Sequence, residues 1–320
     1  MLLNSLYLLV GIGFLTFGGE ALIRGALGAA KRVGISPLLS GLVIVGFGTS
    51  MPEMVVSVQA ALDGRPDISI GNVVGSNIAN ILLVLGLCAA ITPLAVTPMV
   101  LRRDAVVVIA ASLLFILLAS SGTLSHLDAA ILLLSLFAYL AWAYWGERFN
   151  AAPSAVVHQA EAGEVNLVPK SAGWSVIAIA IGLIFLIAGS KILLKGAVGL
   201  AHGLGVSEAV IGLTLVAVGT SLPELTISVI AALRRHADVA VGNVLGSNIF
   251  NLLGILGVSA LLQPLEVRGR IVDFDQWVML GVAVLLIVFL SSGRRLSRME
   301  GGVLLIGYAA YIGASYAIPS

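Results

Sequence analysis

Charge is what this chain has least of. Only 10% of its 320 residues are Asp, Glu, Lys or Arg, against roughly 25% in a soluble domain. Hydrophobic residues reach 59% and mean hydropathy is +1.10. So little polar surface cannot keep a chain in water, and lipid is the expected solvent. Net charge is only +1, which leaves out the basic footprint of a nucleic-acid binder. The one cysteine, Cys88, lies in an apolar run. It cannot close an internal disulfide and reads as an inert buried thiol. His126, His158, His202 and His236 have no metal-ligand spacing. No nucleophile–base pair and no phosphate loop appears, so an enzyme is not expected. The N-terminus is apolar from the start without a charged leader region, and reads as a helix rather than a cleaved signal.

What the chain has in abundance is long apolar runs. A spanning helix needs roughly 20 mostly apolar residues. Such segments fall near 5–23, 37–62, 68–91, 104–120, 126–146, 173–194, 208–233, 238–262, 272–291 and 300–317. The expected fold is therefore an all-α integral membrane protein of ten transmembrane helices. Residues 147–172, with Pro153, Pro169, Glu161 and Glu164, read as a linker loop between two halves, 1–146 and 173–320. Glu20 and its repeat mate Lys191 read as helix-boundary residues. Asp104, Asp128, Asp273 and Asp275 fall at helix starts, where a carboxylate suits the helix dipole. Tyr139, Trp142, Tyr144 and Trp145 fit an interfacial aromatic belt.

The two halves repeat each other. A shift of 171 lays Gly34–Asn80 on Gly205–Asn251 without a gap, with 24 of 47 positions identical. Gly18, Gly25 and Gly28 meet Gly189, Gly196 and Gly199, and Pro93-Leu94 meets Pro264-Leu265. Each half then holds five helices. An odd number forces the second half to enter the membrane from the other side, which is an inverted repeat. Assigning loops alternately to two sides puts twelve Lys/Arg on one side. The other side has five: Arg65, Lys191, Lys195, Arg268 and Arg270. The positive-inside rule makes the side with twelve cytoplasmic. The 147–172 loop is then cytoplasmic and both termini lie outside a multi-pass chain of the cell's inner (plasma) membrane.

Two segments carry the chemistry. Gly46-Phe47-Gly48-Thr49-Ser50-Met51-Pro52-Glu53 and Ala217-Val218-Gly219-Thr220-Ser221-Leu222-Pro223-Glu224 each set a carboxylate in mid-helix, which is costly in lipid. Proline removes a backbone donor and forces a kink, expected to free carbonyls around Gly46 and Ala217. Free carbonyls, hydroxyls and carboxylates are hard oxygen donors, suited to Ca2+ and Na+. Repeat symmetry brings Glu53 and Glu224 together, and two such charges at low dielectric need a cation or a proton between them. The partner segments, Gly71–Asn80 and Gly242–Asn251, place Ser76 with Asn80 and Ser247 with Asn251 on shared helix faces. Asn72, Asn77, Asn243 and Asn248 read as interhelical hydrogen-bonding residues.

Gly-Thr-Ser-x-Pro-Glu followed by Gly-Asn-x-x-Gly-Ser-Asn-Ile-x-Asn, present twice, resembles the paired repeats of the calcium/cation antiporter superfamily, most closely its prokaryotic sodium/calcium exchangers. The resemblance implies secondary active exchange of Ca2+ for Na+ by alternating access. No cofactor beyond these ions is expected, and a monomer should suffice. It implies a central Ca2+ site of Glu53, Glu224, Thr49 and Thr220. A Na+ site would use Glu53, Thr49, Ser76 and the Gly46 carbonyl. Its mirror image would use Glu224, Thr220, Ser247 and the Ala217 carbonyl. Asn80 and Asn251 would border a middle position, and Ser50 and Ser221 would support the kinked backbone. Related exchangers often carry aspartate where this chain has Asn251. That departure leaves a proton-coupled Ca2+ or Mn2+ antiporter with the same site as the alternative.

Overall fold

A computed structural model describes residues 2–32, 46–95, 103–150, 171–233 and 237–317. It is all-helical apart from four two-residue strands. Helices occupy part of each of the ten expected segments. In order they are α1 (Leu2–Arg32), α2 (Gly46–Gly48), α3 (Met51–Leu62), α4 (Pro66–Ile91), α5 (Asp104–Ala119) and α6 (His126–Asn150). Then come α7 (Ala172–Leu204), α8 (Glu208–Thr220), α9 (Leu222–Leu233), α10 (237–262), α11 (271–293) and α12 (Arg298–Ala317). Among the described residues six helices are long and apolar enough to cross a bilayer. A seventh span is added if the bent pair α8–α9 counts as one. The start of the expected second helix lies outside the described residues, as does most of the expected linker, into which α6 runs as far as Asn150.

α1 and α7 are longer than the charge pattern suggests. Glu20 and Lys191 sit well inside them and mark no boundary. Glu20 pairs with Arg24 one turn on, and the Lys195 ammonium lies 4.7 Å from the centre of the Tyr7 ring. These local partners let charge persist mid-helix. α7 begins where the Ser171 hydroxyl accepts from the Trp174 N–H and stops at Gly205, whose φ of 65° suits glycine. At 1.5 Å per residue the two helices are roughly 47 and 50 Å long, well beyond a 30 Å hydrocarbon core.

They pack along each other through glycine. A Cβ on Gly11 would lie 2.6 Å from Leu193, one on Gly18 2.8 Å from the Leu186 nitrogen, and one on Gly25 2.8 Å from the Ile179 nitrogen. Rising numbers on α1 meet falling numbers on α7, so the pair is antiparallel. Small residues that admit close backbones are how helices associate in lipid, where no hydrophobic force drives them together.

The remaining helices form the main core. Strands β1 (Leu94–Ala95) and β4 (Arg295–Leu296) pair antiparallel, as do β2 (Thr123–Leu124) and β3 (Leu265–Glu266). Each pairing ties one half of the sequence to the other. Two buried ion pairs brace this core, and neither was expected from the sequence. Asp104 takes Arg103 at 2.7 Å and the Tyr139 hydroxyl at 3.1 Å. Asp275 takes Arg270 at 3.0 Å and the Tyr311 hydroxyl at 3.0 Å. Tyr139 is thus buried and does not belong to the aromatic belt, whereas Trp142 and Trp145 are exposed as that belt requires.

α4 and α8 touch backbone to backbone. A Cβ on Gly75 would stand 2.4 Å from the Leu213 carbonyl oxygen, an atom that cannot rotate away. Gly75→Ala is expected to cost about 1–3 kcal/mol by overpacking. A lowered thermal-unfolding midpoint of the detergent-solubilised protein is the check.

Candidate functional site

Both halves break their helix at the same place. Between α2 and α3 the break falls at Thr49-Ser50, and between α8 and α9 it falls at Ser221, with the two segments bent by 48°. Ser50 (φ −85°, ψ 9°) and Ser221 (φ −81°, ψ 10°) share one off-helix geometry. Pro52 and Pro223 then start the next helix, where a missing N–H costs least. By their chemistry they leave the Gly48 and Gly219 carbonyls, four residues back, without a helical donor. The Ala217 carbonyl, expected to be freed, is engaged instead. It accepts from the Ser221 N–H at 3.1 Å, the Thr220 hydroxyl at 3.2 Å and the Ser76 hydroxyl at 3.4 Å. Gly46 opens the short turn of α2, and the chain just before it lies outside the described residues.

The glutamates point into one buried space and exchange partners. Ser50 donates to Glu224 Oε1 at 2.8 Å, and Ser221 donates to Glu53 Oε1 at 2.8 Å. The two serines therefore serve the opposite carboxylate directly rather than the backbone. Ser247 adds a longer contact of 3.4 Å to Glu224 Oε1. Thr49 lies beside Glu224, Thr220 beside Glu53, and the two carboxylates feel each other's charge. The same Thr220 hydroxyl lies 3.1 Å from Asn72 Oδ1, which competes with the backbone carbonyls for its single proton.

The helices facing the breaks supply the amides. Asn72 donates to Ser57 Oγ at 2.9 Å and to the Glu53 carbonyl at 3.3 Å. Asn243 repeats this with Ser228 at 3.0 Å and the Glu224 carbonyl at 3.4 Å. These two residues hold each broken helix to its partner. Asn80 and Asn251 each begin a π-helical turn, Asn80–Leu85 and Asn251–Ile255, an irregularity that recurs at functional sites. Hydrophobic periodicity does not distinguish such a turn from ordinary α-helix.

Glu53, Glu224, Thr49, Thr220, Ser76, Ser247, Asn80, Asn251 and Ser50 are at most 1% exposed, and Ser221 is 3% exposed. Five oxygens among them have no hydrogen-bond partner: Glu53 Oε2, Glu224 Oε2, Asn80 Oδ1, Asn251 Oδ1 and Thr49 Oγ1. No cluster of three or more His, Cys, Asp or Glu side chains occurs among the described residues. The arrangement is thus two carboxylates with neutral oxygens, the ligand set of a hard cation rather than of a soft metal.

The family model described as sodium/calcium exchanger protein matches residues 3–145 and 174–317. The chain belongs to the sodium/calcium exchanger family. Like its relatives, this exchanger is a multi-pass membrane antiporter of the sodium/calcium-exchange type. It is 37% identical to the putative antiporter CaxA of Alkalimonas amylolytica over 317 residues, 97% of this chain and 98% of that protein. It is 33% identical to the sodium/calcium exchanger MaX1 of Methanosarcina acetivorans, with 97% of each chain covered. Its fold matches the solved sodium-calcium exchanger NCX_Mj, soaked with Na+ and Sr2+. The TM-score is 0.66 and the identity 31%, over 98% of both chains.

Proposed function

We propose that this exchanger moves Ca2+ against Na+ by alternating access, with both ions competing for one site between Glu53 and Glu224. The observation that carries the reading is the set of five buried oxygens without partners. A buried unpaired oxygen costs about 1–3 kcal/mol, and more when charged. A dehydrated cation offsets that cost, and two negative charges balance one Ca2+. Glu53, Glu224, Thr49, Thr220, Asn80 and Asn251 are the proposed ligands of the middle of the site. Ser76 and Ser247, with the Gly46 carbonyl, border Na+ positions on its two sides. Ser50 and Ser221 orient the carboxylates.

Ten spans in two inverted five-helix repeats, 1–146 and 173–320, give the site its symmetry. The antiparallel run of α1 along α7, which are repeat mates, is what two oppositely inserted copies require. The exchange of serine partners across the site fits a twofold relation between the copies. Both termini then lie outside and the 147–172 linker is cytoplasmic, in the cell's inner (plasma) membrane. The long, glycine-packed α1 and α7 slide across the core to open one face at a time. One chain builds the whole site, so a monomer suffices. If more than two Na+ replace one Ca2+, each unbalanced charge couples transport to the membrane potential by roughly 2.3 kcal/mol per 100 mV.

The test is 45Ca2+ uptake into proteoliposomes preloaded with Na+, beside choline-loaded vesicles given a pH gradient. Uptake is expected with internal Na+ alone. Uptake driven only by the pH gradient would refute Na+ coupling and assign the same site to proton exchange.

A further inference from the structure

Four asparagines cross between α4 and α10, within about one helical turn of Ser76 and Ser247, the latter of which reaches Glu224 Oε1, and their bonds have a fixed direction. Asn77 Nδ2 lies 3.2 Å from the Asn248 backbone carbonyl, and Asn248 Nδ2 lies 3.2 Å from the Asn77 backbone carbonyl. A carbonyl only accepts, so the nitrogen of each amide must occupy that position. The Oδ1 atoms of Asn77 and Asn248 are thereby turned the other way. Asn77 Oδ1 accepts from Asn251 Nδ2 at 3.1 Å, and Asn248 Oδ1 accepts from Asn80 Nδ2 at 3.0 Å. Those contacts use the nitrogens of Asn80 and Asn251. What is left is an oxygen from each, buried and without a partner.

We propose that Asn77 and Asn248 are positioning residues that lock the amides of Asn251 and Asn80 with oxygen toward the ion and nitrogen away from it. The inference rests on the cation site proposed above and names what sets its neutral ligands. An amide is nearly symmetric in shape, and packing alone does not choose between its two ends. With the lock removed, Asn251 can present an NH2 group to the cation, which repels where the oxygen attracts. A carboxylate at 251 would need no lock, because both of its ends are oxygen. The asparagine in this chain therefore depends on Asn77 in a way an aspartate would not.

That dependence is the test. Equilibrium 45Ca2+ binding is measured on the purified full chain for wild type, Asn77→Ala, Asn251→Asp and the double variant, each verified as monodisperse. Asn77→Ala is expected to raise the Ca2+ Kd roughly tenfold, the size of a lost hydrogen bond to a charged centre. In the Asn251→Asp background the same change is expected to raise it less than about threefold, a non-additivity that a double-mutant cycle isolates. Asn248→Ala should repeat the loss through Asn80. Equal losses of affinity in both backgrounds would overturn the lock and reduce Asn77 to a packing residue, as would an unchanged Kd in Asn77→Ala. Absence of Ca2+ binding in the wild type would instead overturn the cation site itself, and the lock with it.

Discussion

Glu53→Gln and Glu224→Gln are each expected to reduce Ca2+ exchange on the order of a thousandfold. At an effective dielectric near 20, two unit charges about 4 Å apart interact by roughly 4 kcal/mol and a divalent ion doubles that, so about a factor of a thousand in affinity is the lower end of the expected loss. Glutamine keeps the shape and loses the charge. It also brings an NH2 group whose orientation no neighbour fixes, because Ser221 and Ser50 can turn to donate or accept. Misfolding does not explain the loss. Replacing one of two facing carboxylates relieves repulsion in the ion-free protein, so both variants should be at least as thermally stable as wild type without Ca2+. Added Ca2+, which stabilises whatever binds it, should raise the unfolding midpoint of wild type and leave the variants unmoved. Exchange at more than about a tenth of the wild-type rate in either variant would contradict the assignment.

The second large effect is structural. Arg270 and Asp275 have side chains 1% and 0% exposed. Arg270 also donates to the Ser315 carbonyl at 2.7 Å and to the Ser315 hydroxyl at 3.1 Å, tying the start of α11 to the end of α12. Arg270→Ala leaves Asp275 as a buried charge with, among the described residues, only the Tyr311 hydroxyl to balance it. Breaking such a pair from one side is expected to cost about 3–5 kcal/mol. Arg270→Met with Asp275→Leu removes both charges and should cost much less, because an apolar pair replaces a buried ion pair at little or no loss. Thermal unfolding of the three proteins in detergent reads the difference. A double variant as unstable as Arg270→Ala would show that shape, not charge balance, matters at this place.

Much of this was legible in the sequence because the features are large or doubled. Sustained apolar runs announce membrane helices, and the shift of 171 exposes the repeat. A Gly-Thr-Ser-x-Pro-Glu segment cannot be an ordinary apolar helix, so the breaks at Ser50 and Ser221 and the burial of Glu53 and Glu224 follow from chemistry. Contacts that depend on how the halves interlock were not legible. Nothing in the spacing tells that Ser50 donates to Glu224 and not to Glu53. Asn77 and Asn248 were expected to bond between helices, but which atoms they meet depends on two backbone carbonyls. α1 and α7 run past the ends that charge suggests, because Glu20 and Arg24 neutralise each other one turn apart. The Arg270–Asp275 pair was hidden for a related reason. A carboxylate at a helix start already has an explanation in the dipole, and only packing reveals the arginine and tyrosine around it.

Under the proposed mechanism Ca2+ and Na+ use the same buried oxygens in turn. Equilibrium 45Ca2+ binding to the purified chain across a Na+ titration, with choline keeping ionic strength constant, tests it most directly. One Ca2+ per chain is expected, displaced fully by Na+ with a Hill slope above one and absent from Glu53→Gln. Ca2+ binding that persists at saturating Na+, or that survives in Glu53→Gln, would contradict it.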